Sequence, residues 1–77
     1  MENIVIYSIN NCAYCDAAKN LLKNNSLAFN EINLSTDPEG RLNLVAKTGQ
    51  RTMPQIFIGE KFIGGYTELK AYLQSTR

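Results

Sequence analysis

The chain contains no histidine and only two cysteines, Cys12 and Cys15. A structural zinc site needs four ligands, drawn mainly from these two residue types. The chain therefore cannot complete such a site by itself, and we expect no bound metal. Long apolar runs are also missing, since none approaches the roughly 20 residues of a membrane-spanning helix.

An excess of either charge is missing as well. Eight Lys and Arg residues oppose seven Asp and Glu residues, which gives a net charge of +1. The two signs are interspersed, and no basic cluster resembles a nucleic-acid or membrane-binding stretch. We therefore expect no nucleic acid and no membrane among the partners.

Repeats, low-complexity tracts and linker-like stretches are absent from the sequence. Its 77 residues suffice for one small domain, residues 1–77. The first three residues carry no basic charge, whereas a secretory signal begins with a basic region. We expect a cytoplasmic monomer, in a reducing compartment where a surface dithiol is more often catalytic than structural.

The two cysteines lie where a β-like run over residues 4–7 gives way to a helix-like run over residues 16–25. A helix N-terminus carries unpaired N–H groups and about half a positive charge, which favours a thiolate. Thiolates in such places attack disulfides. Two cysteines separated by two residues, near a strand–helix–strand pattern, therefore indicate a redox-active dithiol.

Two structural interpretations compete with this one. A disulfide across so short a loop stabilises a fold by only about 2 kcal/mol in the chain-entropy model, so it is a poor staple. Two inert thiols are the other alternative, because cysteine often serves as a small core residue. We favour redox chemistry. Because Cys15 falls on the apolar stripe of the helix, it should be more buried than Cys12.

The pattern of the first half predicts a strand, a helix and a strand. Residues 4–8 are typical of a strand covered on both faces, and Asn10 and Asn11 are candidate helix N-caps. The helix should end at residues 24–26, and a second strand is expected over residues 27–34. The two strands should be joined by a right-handed crossover. The predicted inner face of the helix comprises Cys15, Ala17, Ala18, Leu21 and Leu22.

The second half predicts a helix, a hairpin and a helix. Asp37 as N-cap and Pro38 in the first turn begin a helix that ends at Gly49. Strands over 55–58 and 61–63 flank a two-residue turn, and a last helix begins at residue 66 or 67. The predicted inner residues of the two helices are Leu42, Val45 and Ala46, then Leu69, Tyr72 and Leu73. The order βαβαββα places four strands in one mixed sheet flanked by three helices, an α/β fold.

Thr52-Met53-Pro54 stands directly before the predicted third strand, where a proline is tolerated. A trans bond before Pro54 is the ordinary expectation, because only about 5–6% of X–Pro bonds are cis. A cis bond would leave the N–H and C=O groups of Met53 free to pair with an extended peptide.

The segment Gly64-Gly65-Tyr66-Thr67 leads from the fourth strand into the last helix. Glycines let a backbone approach a ligand closely, and a helix N-terminus can bind a carboxylate. An ordinary strand-to-helix turn also uses such glycines, so this motif is weak by itself.

In this order and spacing, the three motifs make the chain resemble the glutaredoxin family, within the thioredoxin-like fold. The resemblance spans the whole sequence and is most specific over residues 12–15, 49–58 and 62–65. The short length and the tyrosine before the second cysteine favour glutaredoxin over thioredoxin. The resemblance implies a glutathione-dependent oxidoreductase that reduces protein disulfides and glutathione mixed disulfides. Glutathione would be a co-substrate, and no cofactor would be bound.

The resemblance also implies roles for single residues. Cys12 matches the nucleophile and Cys15 the resolving thiol. The Met53 backbone would bind the cysteinyl part of glutathione, and Arg41 would reach its glycine carboxylate. A solvated surface charge is an equally good interpretation of Arg41. The full implied glutathione site comprises Tyr14, Arg41, Thr52, Met53, Pro54, Gly65, Tyr66 and Thr67.

Three positions depart from the family pattern. Ala13 replaces a common proline and restores a backbone N–H. Ile9 stands where many relatives have a lysine, so carboxylate recognition would fall to Arg41, with Gln50 or Arg51. Thr67 stands where relatives often have aspartate, and it brings no charge for the γ-glutamyl ammonium.

These departures leave two other functions open. One is a glutaredoxin-like electron donor that thioredoxin reductase reduces. The other is a carrier of a glutathione-ligated 2Fe–2S cluster, because a small residue at position 13 accompanies cluster binding in some family members.

Overall fold

The structure, a computed structural model, describes residues 3–75. The expected 1–77 domain therefore includes four terminal residues that lie outside this range. The elements follow the predicted order: β1 (Ile4–Ser8), α1 (Ala13–Asn24), β2 (Asn30–Asn33), α2 (Pro38–Thr48), β3 (Gln55–Ile58), β4 (Lys61–Gly64) and α3 (Tyr66–Ser75). Within residues 3–75, no helix has the length and apolar character that crossing a bilayer requires.

One mixed sheet joins the four strands in the order β2-β1-β3-β4. β1 runs parallel to β2 and antiparallel to β3, and β4 pairs antiparallel with β3 at the edge. Gly59, which has φ 61°, opens the turn between β3 and β4, as a type II′ hairpin requires. The predicted four-stranded mixed sheet and its three helices are confirmed.

Successive side chains along β1 and β3 point to opposite faces of the sheet, and each face carries one apolar cluster. Ile6 and Ile56 pack with α1 and α3 in the larger cluster, which also holds Ala18, Leu22, Leu69 and Leu73. Phe57 packs with α2 in the smaller cluster, which also holds Cys15, Leu34, Leu44 and Met53. Each fully buried aliphatic side chain contributes about 1.5–3 kcal/mol to folding. The smaller cluster includes Cys15 and Met53, so the second layer of the core reaches the predicted site.

The start of α1 differs from the prediction. Cys12 is the N-cap, and neither Asn10 nor Asn11 takes that place. Asn11 adopts a left-handed φ of 54°. Asn10 is engaged elsewhere, because its N–H donates to the Ser35 hydroxyl and its side-chain oxygen accepts from Asn33. The asparagines therefore shape the approach to the helix and tie it to the end of β2.

The inner face of α2 also differs from the prediction. Leu44 is the buried apolar residue of this helix, whereas Leu42 is 72% exposed and Ala46 is exposed too. Val45, which the prediction placed inside, is half-buried. Leu44 and Thr48 are one helical turn apart and both point inward. Because Thr48 is polar, a search for apolar residues alone does not identify this inward face. The predicted helix limits, an Asp37 cap and a left-handed Gly49, are both confirmed.

The second strand is shorter than predicted, since β2 spans only residues 30–33 rather than 27–34. Leu27 and Phe29 pack against the larger cluster before the strand begins. β2 lies at the sheet edge, and its four residues pair with the four residues Val5–Ser8 of β1. Pairing with the parallel neighbour therefore sets the limits of this strand.

Candidate active site

The two cysteines form a disulfide across the first turn of α1, with Cα atoms 5.2 Å apart. Cys12 is half-buried, whereas Cys15 is only 1% exposed. The predicted difference in exposure is therefore observed. It arises because Cys15 faces the smaller apolar cluster while Cys12 stands before the helix, at its N-cap.

The Cys12 sulfur is also the capping acceptor of α1. The backbone N–H of Cys15 donates to this sulfur over 3.1 Å. The first N–H groups of a helix have no acceptor inside the helix, so the sulfur satisfies one of them. The same contact favours negative charge on that sulfur once the disulfide is reduced.

The loop before β3 lies next to the disulfide. The Met53–Pro54 peptide bond is cis, which is the less common of the two states that the sequence left open. The Cys12 sulfur lies 3.7 Å from the Met53 carbonyl oxygen. Both Met53 and Pro54 are largely buried, while Thr52 is exposed.

A groove of about 350 Å³ opens beside this loop. Tyr14 and Tyr66 both line it, and their tilted rings form an aromatic pair with centroids 6.0 Å apart. Tyr14 is 65% exposed and so forms an accessible wall. Seven of the eight residues predicted for glutathione line the groove: Tyr14, Thr52, Met53, Pro54, Gly65, Tyr66 and Thr67. Their role in binding stays a prediction.

Arg41 is the predicted residue that the structure places elsewhere. It lines a separate pocket of about 520 Å³ on the exposed side of α2, together with Pro38, Leu42, Val45 and Arg51. Ile9, one of the three positions expected to depart from the family pattern, packs against the smaller apolar cluster. The predicted contact of Arg41 with a glycine carboxylate therefore has no support from the position of this side chain, and it stays a prediction.

Glu68 and Gln50 also line the groove, and the prediction had not included Glu68. One Glu68 carboxylate oxygen accepts from the backbone N–H of Gly65 over 2.8 Å. Gly65 therefore occupies the capping position directly before α3, and its carbonyl accepts the first helical bond, from Leu69. A glutamate three residues after a capping position is a known capping signature, and it could have identified this contact.

Gly64 brings the chain from β4 to this cap with φ 124°. A Cβ atom added there would lie 2.8 Å from Glu68 Cγ. Glycine is therefore needed for its backbone conformation and for the space that Glu68 occupies.

Gln55 is a second residue that the prediction missed. It is completely buried beneath the loop and hydrogen bonds to two of the loop's carbonyl groups. A polar residue in the otherwise apolar strand Gln55-Ile56-Phe57-Ile58 was the available signal.

Away from the groove, a charged network links β1, α1 and β2. The buried Ser8 hydroxyl donates to Glu31 over 2.6 Å, and Lys19 binds the same carboxylate over 3.0 Å. The Ser8 hydrogen bond and then the Lys19 ammonium lower the pKa of Glu31 below its ordinary value of 4.5. The Glu31 carboxylate raises the pKa of Lys19 above 10.5. This network supports the sheet rather than the groove.

Among residues 3–75, no three His, Cys, Asp or Glu side chains gather as a metal site would require. The chemistry that the described site offers is that of its two sulfurs. A disulfide at the N-terminus of the first helix of a thioredoxin-like sheet defines the class of thiol–disulfide oxidoreductases.

Comparison with known proteins narrows the class to a family. The sequence model of the family Glutaredoxin matches residues 4–63. A glutaredoxin of Pseudomonas aeruginosa is 44% identical over 71 residues, which cover 92% of this chain and 84% of that protein. Glutaredoxin 3 of Escherichia coli K12 is 37% identical over 71 residues, which cover 92% of this chain and 86% of that protein.

Solved structures agree. The buckwheat glutaredoxin–glutathione complex superimposes with a TM-score of 0.88 at 31% identity, over 97% of this chain and 71% of that one. The solution structure of Brucella melitensis glutaredoxin gives 0.84 at 40% identity, over 97% and 82% of the two chains. The chain belongs to the glutaredoxin family, and the family indicates thiol–disulfide oxidoreductase activity.

Proposed function

We propose that the protein uses glutathione to reduce protein disulfides and mixed disulfides between proteins and glutathione. The observation that carries this proposal is the position of the Cys12 sulfur. It is the more exposed of the two sulfurs, it accepts a helix N-terminal N–H, and it lies 3.7 Å from the Met53 carbonyl at the groove. Once reduced, Cys12 in this place receives a helix N-terminal N–H and lies within reach of a disulfide bound at the groove.

The chemistry starts from reduced Cys12 and a glutathionylated protein. The Cys12 thiolate attacks the glutathione sulfur, a Cys12–glutathione disulfide forms, and the protein thiolate leaves. The thiolate of a second glutathione attacks the glutathione sulfur of this intermediate. Cys12 leaves as a thiolate, and oxidised glutathione is the product.

A protein disulfide follows a second route. Cys12 attacks one sulfur and forms a mixed disulfide with the substrate. The Cys15 thiolate then attacks the Cys12 sulfur, so the reduced substrate leaves and the Cys12–Cys15 disulfide remains. Two glutathione molecules reduce this disulfide and become oxidised glutathione. The Cα distance of 5.2 Å shows that the two cysteines can pair without a movement of the backbone.

The groove supports glutathione as the co-substrate. Its volume of about 350 Å³ falls in the range of small-molecule sites, about 300–1,000 Å³. The N–H groups of Tyr66 and Thr67 belong to the first turn of α3, where no acceptor exists inside the helix. These two N–H groups can donate hydrogen bonds to the γ-glutamyl carboxylate of glutathione. The buckwheat relative forms a complex with glutathione.

The test is glutathione-dependent reduction of a small mixed disulfide, coupled to glutathione reductase and NADPH. The native protein and Cys15→Ser should turn over, because the first route needs only one thiolate, while Cys12→Ser should be inactive. Activity of Cys12→Ser would contradict the assignment of the nucleophile. Reduction by thioredoxin reductase in place of glutathione would support the alternative electron donor.

Two further expectations belong to this proposal. We expect the protein to act as a monomer in the cytoplasm, where glutathione is mostly reduced. Light scattering of the purified protein would test the first, and fractionation of cells that express it would test the second. A brown colour of freshly purified protein would favour the cluster carrier instead.

A further inference from the structure

Gln55 is the first residue of β3 and follows Pro54 directly. Its solvent exposure is 0%, although its side chain is a polar carboxamide. A buried carboxamide is costly unless hydrogen bonds replace those it loses to water. Among the described residues, no buried side-chain nitrogen or oxygen lacks a partner.

The carboxamide makes three hydrogen bonds in the protein. Its nitrogen donates to the Gln50 carbonyl over 2.7 Å and to the Thr52 carbonyl over 3.2 Å. Its oxygen accepts from the Thr48 hydroxyl over 2.8 Å. The same Thr48 oxygen accepts from the backbone N–H of Gln50 over 3.2 Å. One buried side chain therefore joins the last turn of α2 to both ends of the loop segment 50–52.

Backbone hydrogen bonds contribute little to holding this segment, although Met53 at its end packs in the smaller cluster. Within the described residues, no backbone–backbone hydrogen bond outside helices and strands involves residues 50–53. Yet Gln50, Thr52 and Met53 line the groove, and the Met53 carbonyl lies 3.7 Å from the Cys12 sulfur. The two carbonyls that Gln55 holds therefore lie in the part of the groove wall that leads to Met53 and the reacting sulfur.

We infer that Gln55 is a positioning residue: with Thr48, it holds the backbone of residues 50–52 in the conformation that binds the co-substrate beside Cys12. Gln55 itself lies beneath the loop, and its three hydrogen bonds go to Thr48, Gln50 and Thr52 rather than to either cysteine. The kinetic part of this inference rests on the proposed use of glutathione. The structural part concerns the loop alone and can be measured without any substrate.

Gln55→Met tests the inference most directly, because it keeps a similar shape and removes all three hydrogen bonds. Thr48→Val removes the hydroxyl that bonds Gln55 and Gln50, whereas Thr48→Ser retains it. If Gln55→Met does not fold, the comparison of Thr48→Val with Thr48→Ser tests the inference instead. Ile58→Val at the far end of β3 is the control for a general loss of core packing, since Ile58 pairs with Ile4 and packs in the larger cluster, whereas Met53 belongs to the smaller one.

The first measurement is the dependence of the turnover rate on glutathione concentration. A misplaced binding loop should raise KM for glutathione about tenfold to a hundredfold in Gln55→Met, by analogy with other small displacements of binding groups. Thr48→Val should raise KM in the same direction, and Thr48→Ser should restore it. The rate at which dithiothreitol reduces the Cys12–Cys15 disulfide should not change, because that reaction does not need the groove.

The second measurement is the NMR spectrum of the oxidised protein without ligand. The amide nitrogens of Arg51 and Met53 directly follow the carbonyls of Gln50 and Thr52, so they report on the hydrogen bonds to those carbonyls. Both resonances should shift in Gln55→Met and stay in place in Ile58→Val.

These outcomes separate the two proposals. If the native protein shows no turnover with glutathione, the proposed function fails, and the NMR shifts alone decide the role of Gln55. If the variants are folded and neither KM nor the two resonances change, the inference about Gln55 is wrong. An equal loss of rate with glutathione and dithiothreitol would also overturn it, because the defect would then lie in the dithiol.

Discussion

The backbone N–H of Cys15 donates a hydrogen bond to the sulfur of Cys12, its own disulfide partner, over 3.1 Å. This sulfur therefore caps α1 and also lies 3.7 Å from the carbonyl oxygen of Met53, a residue of the groove wall. The same atom would therefore serve as the helix cap and as the proposed nucleophile, and two substitutions of Cys12 can separate these roles.

Replacing Cys12 by serine or alanine should separate the cap from the chemistry. Both variants should lack turnover, because neither offers a thiolate. Serine can accept the Cys15 N–H bond and alanine cannot, so Cys12→Ala should be less stable than Cys12→Ser by about 1 kcal/mol. Urea unfolding under reducing conditions measures this difference, with the reduced native protein as reference. Equal stability of the two variants would show that the sulfur contact contributes no capping energy.

Removing the charge of Glu31 should weaken the fold in a limited pH range. Glu31→Gln keeps an acceptor for the Ser8 hydroxyl and removes the ion pair with Lys19. The partly exposed pair should contribute about 1 kcal/mol or less. Glu60→Gln, on the exposed hairpin turn, is the matched control.

The direction of the pH effect follows from the two shifts. The pKa of Glu31 is lowered, so its contribution is present above about pH 4.5 and is lost as pH falls through the lowered value. The pKa of Lys19 is raised, so its contribution is present below pH 10.5 and is lost as pH rises through the raised value. The stability difference between native protein and Glu31→Gln should therefore be largest between these limits. A difference that grows in acid would contradict the assignment.

Alanine at position 64 should destabilise the start of α3. It would meet an unfavourable φ of 124° and a Cβ contact of 2.8 Å with Glu68, and we expect a loss of about 2–3 kcal/mol. Gly49→Ala is the control, because φ there is 78° but an added Cβ would meet no atom within 4 Å. Thermal unfolding of both variants should show the larger loss for Gly64→Ala. The reverse order would mean that Glu68 moves aside without cost.

The inward face of α2 can be tested with two leucines. Leu44→Ala should cost about 2–5 kcal/mol, because it empties a buried position of the smaller cluster. Leu42→Ala should change stability by no more than about 0.5 kcal/mol, since its side chain is 72% exposed. Denaturant unfolding of the two variants checks this. A large loss of stability in Leu42→Ala would show that Leu42 lies on the inward face, as the apolar pattern predicts.

The choice between those two faces illustrates what an apolar pattern can and cannot predict. Leucines at positions 42 and 44 allow two helical registers, and the prediction followed Leu42, Val45 and Ala46. The structure selects Leu44 because Leu34 and Phe57, distant in sequence, lie beneath it. Thr48, one turn later, also points inward, where it bonds Gln55.

The sequence by itself determined the order of the elements, the ends of α2 and the place of the two cysteines at the start of a helix. Capping residues, turn glycines and apolar periodicity act within a few positions, so a single sequence contains them. Only the tertiary structure decided the cis state of Met53–Pro54, the approach of Met53 to Cys12, the burial of Gln55 and the separation of Arg41 from the groove. Local preference between X–Pro isomers is only about 0.5–1 kcal/mol, and the other features join segments that lie apart in the chain. Contacts between such segments depend on how strands and helices pack, which no local pattern specifies.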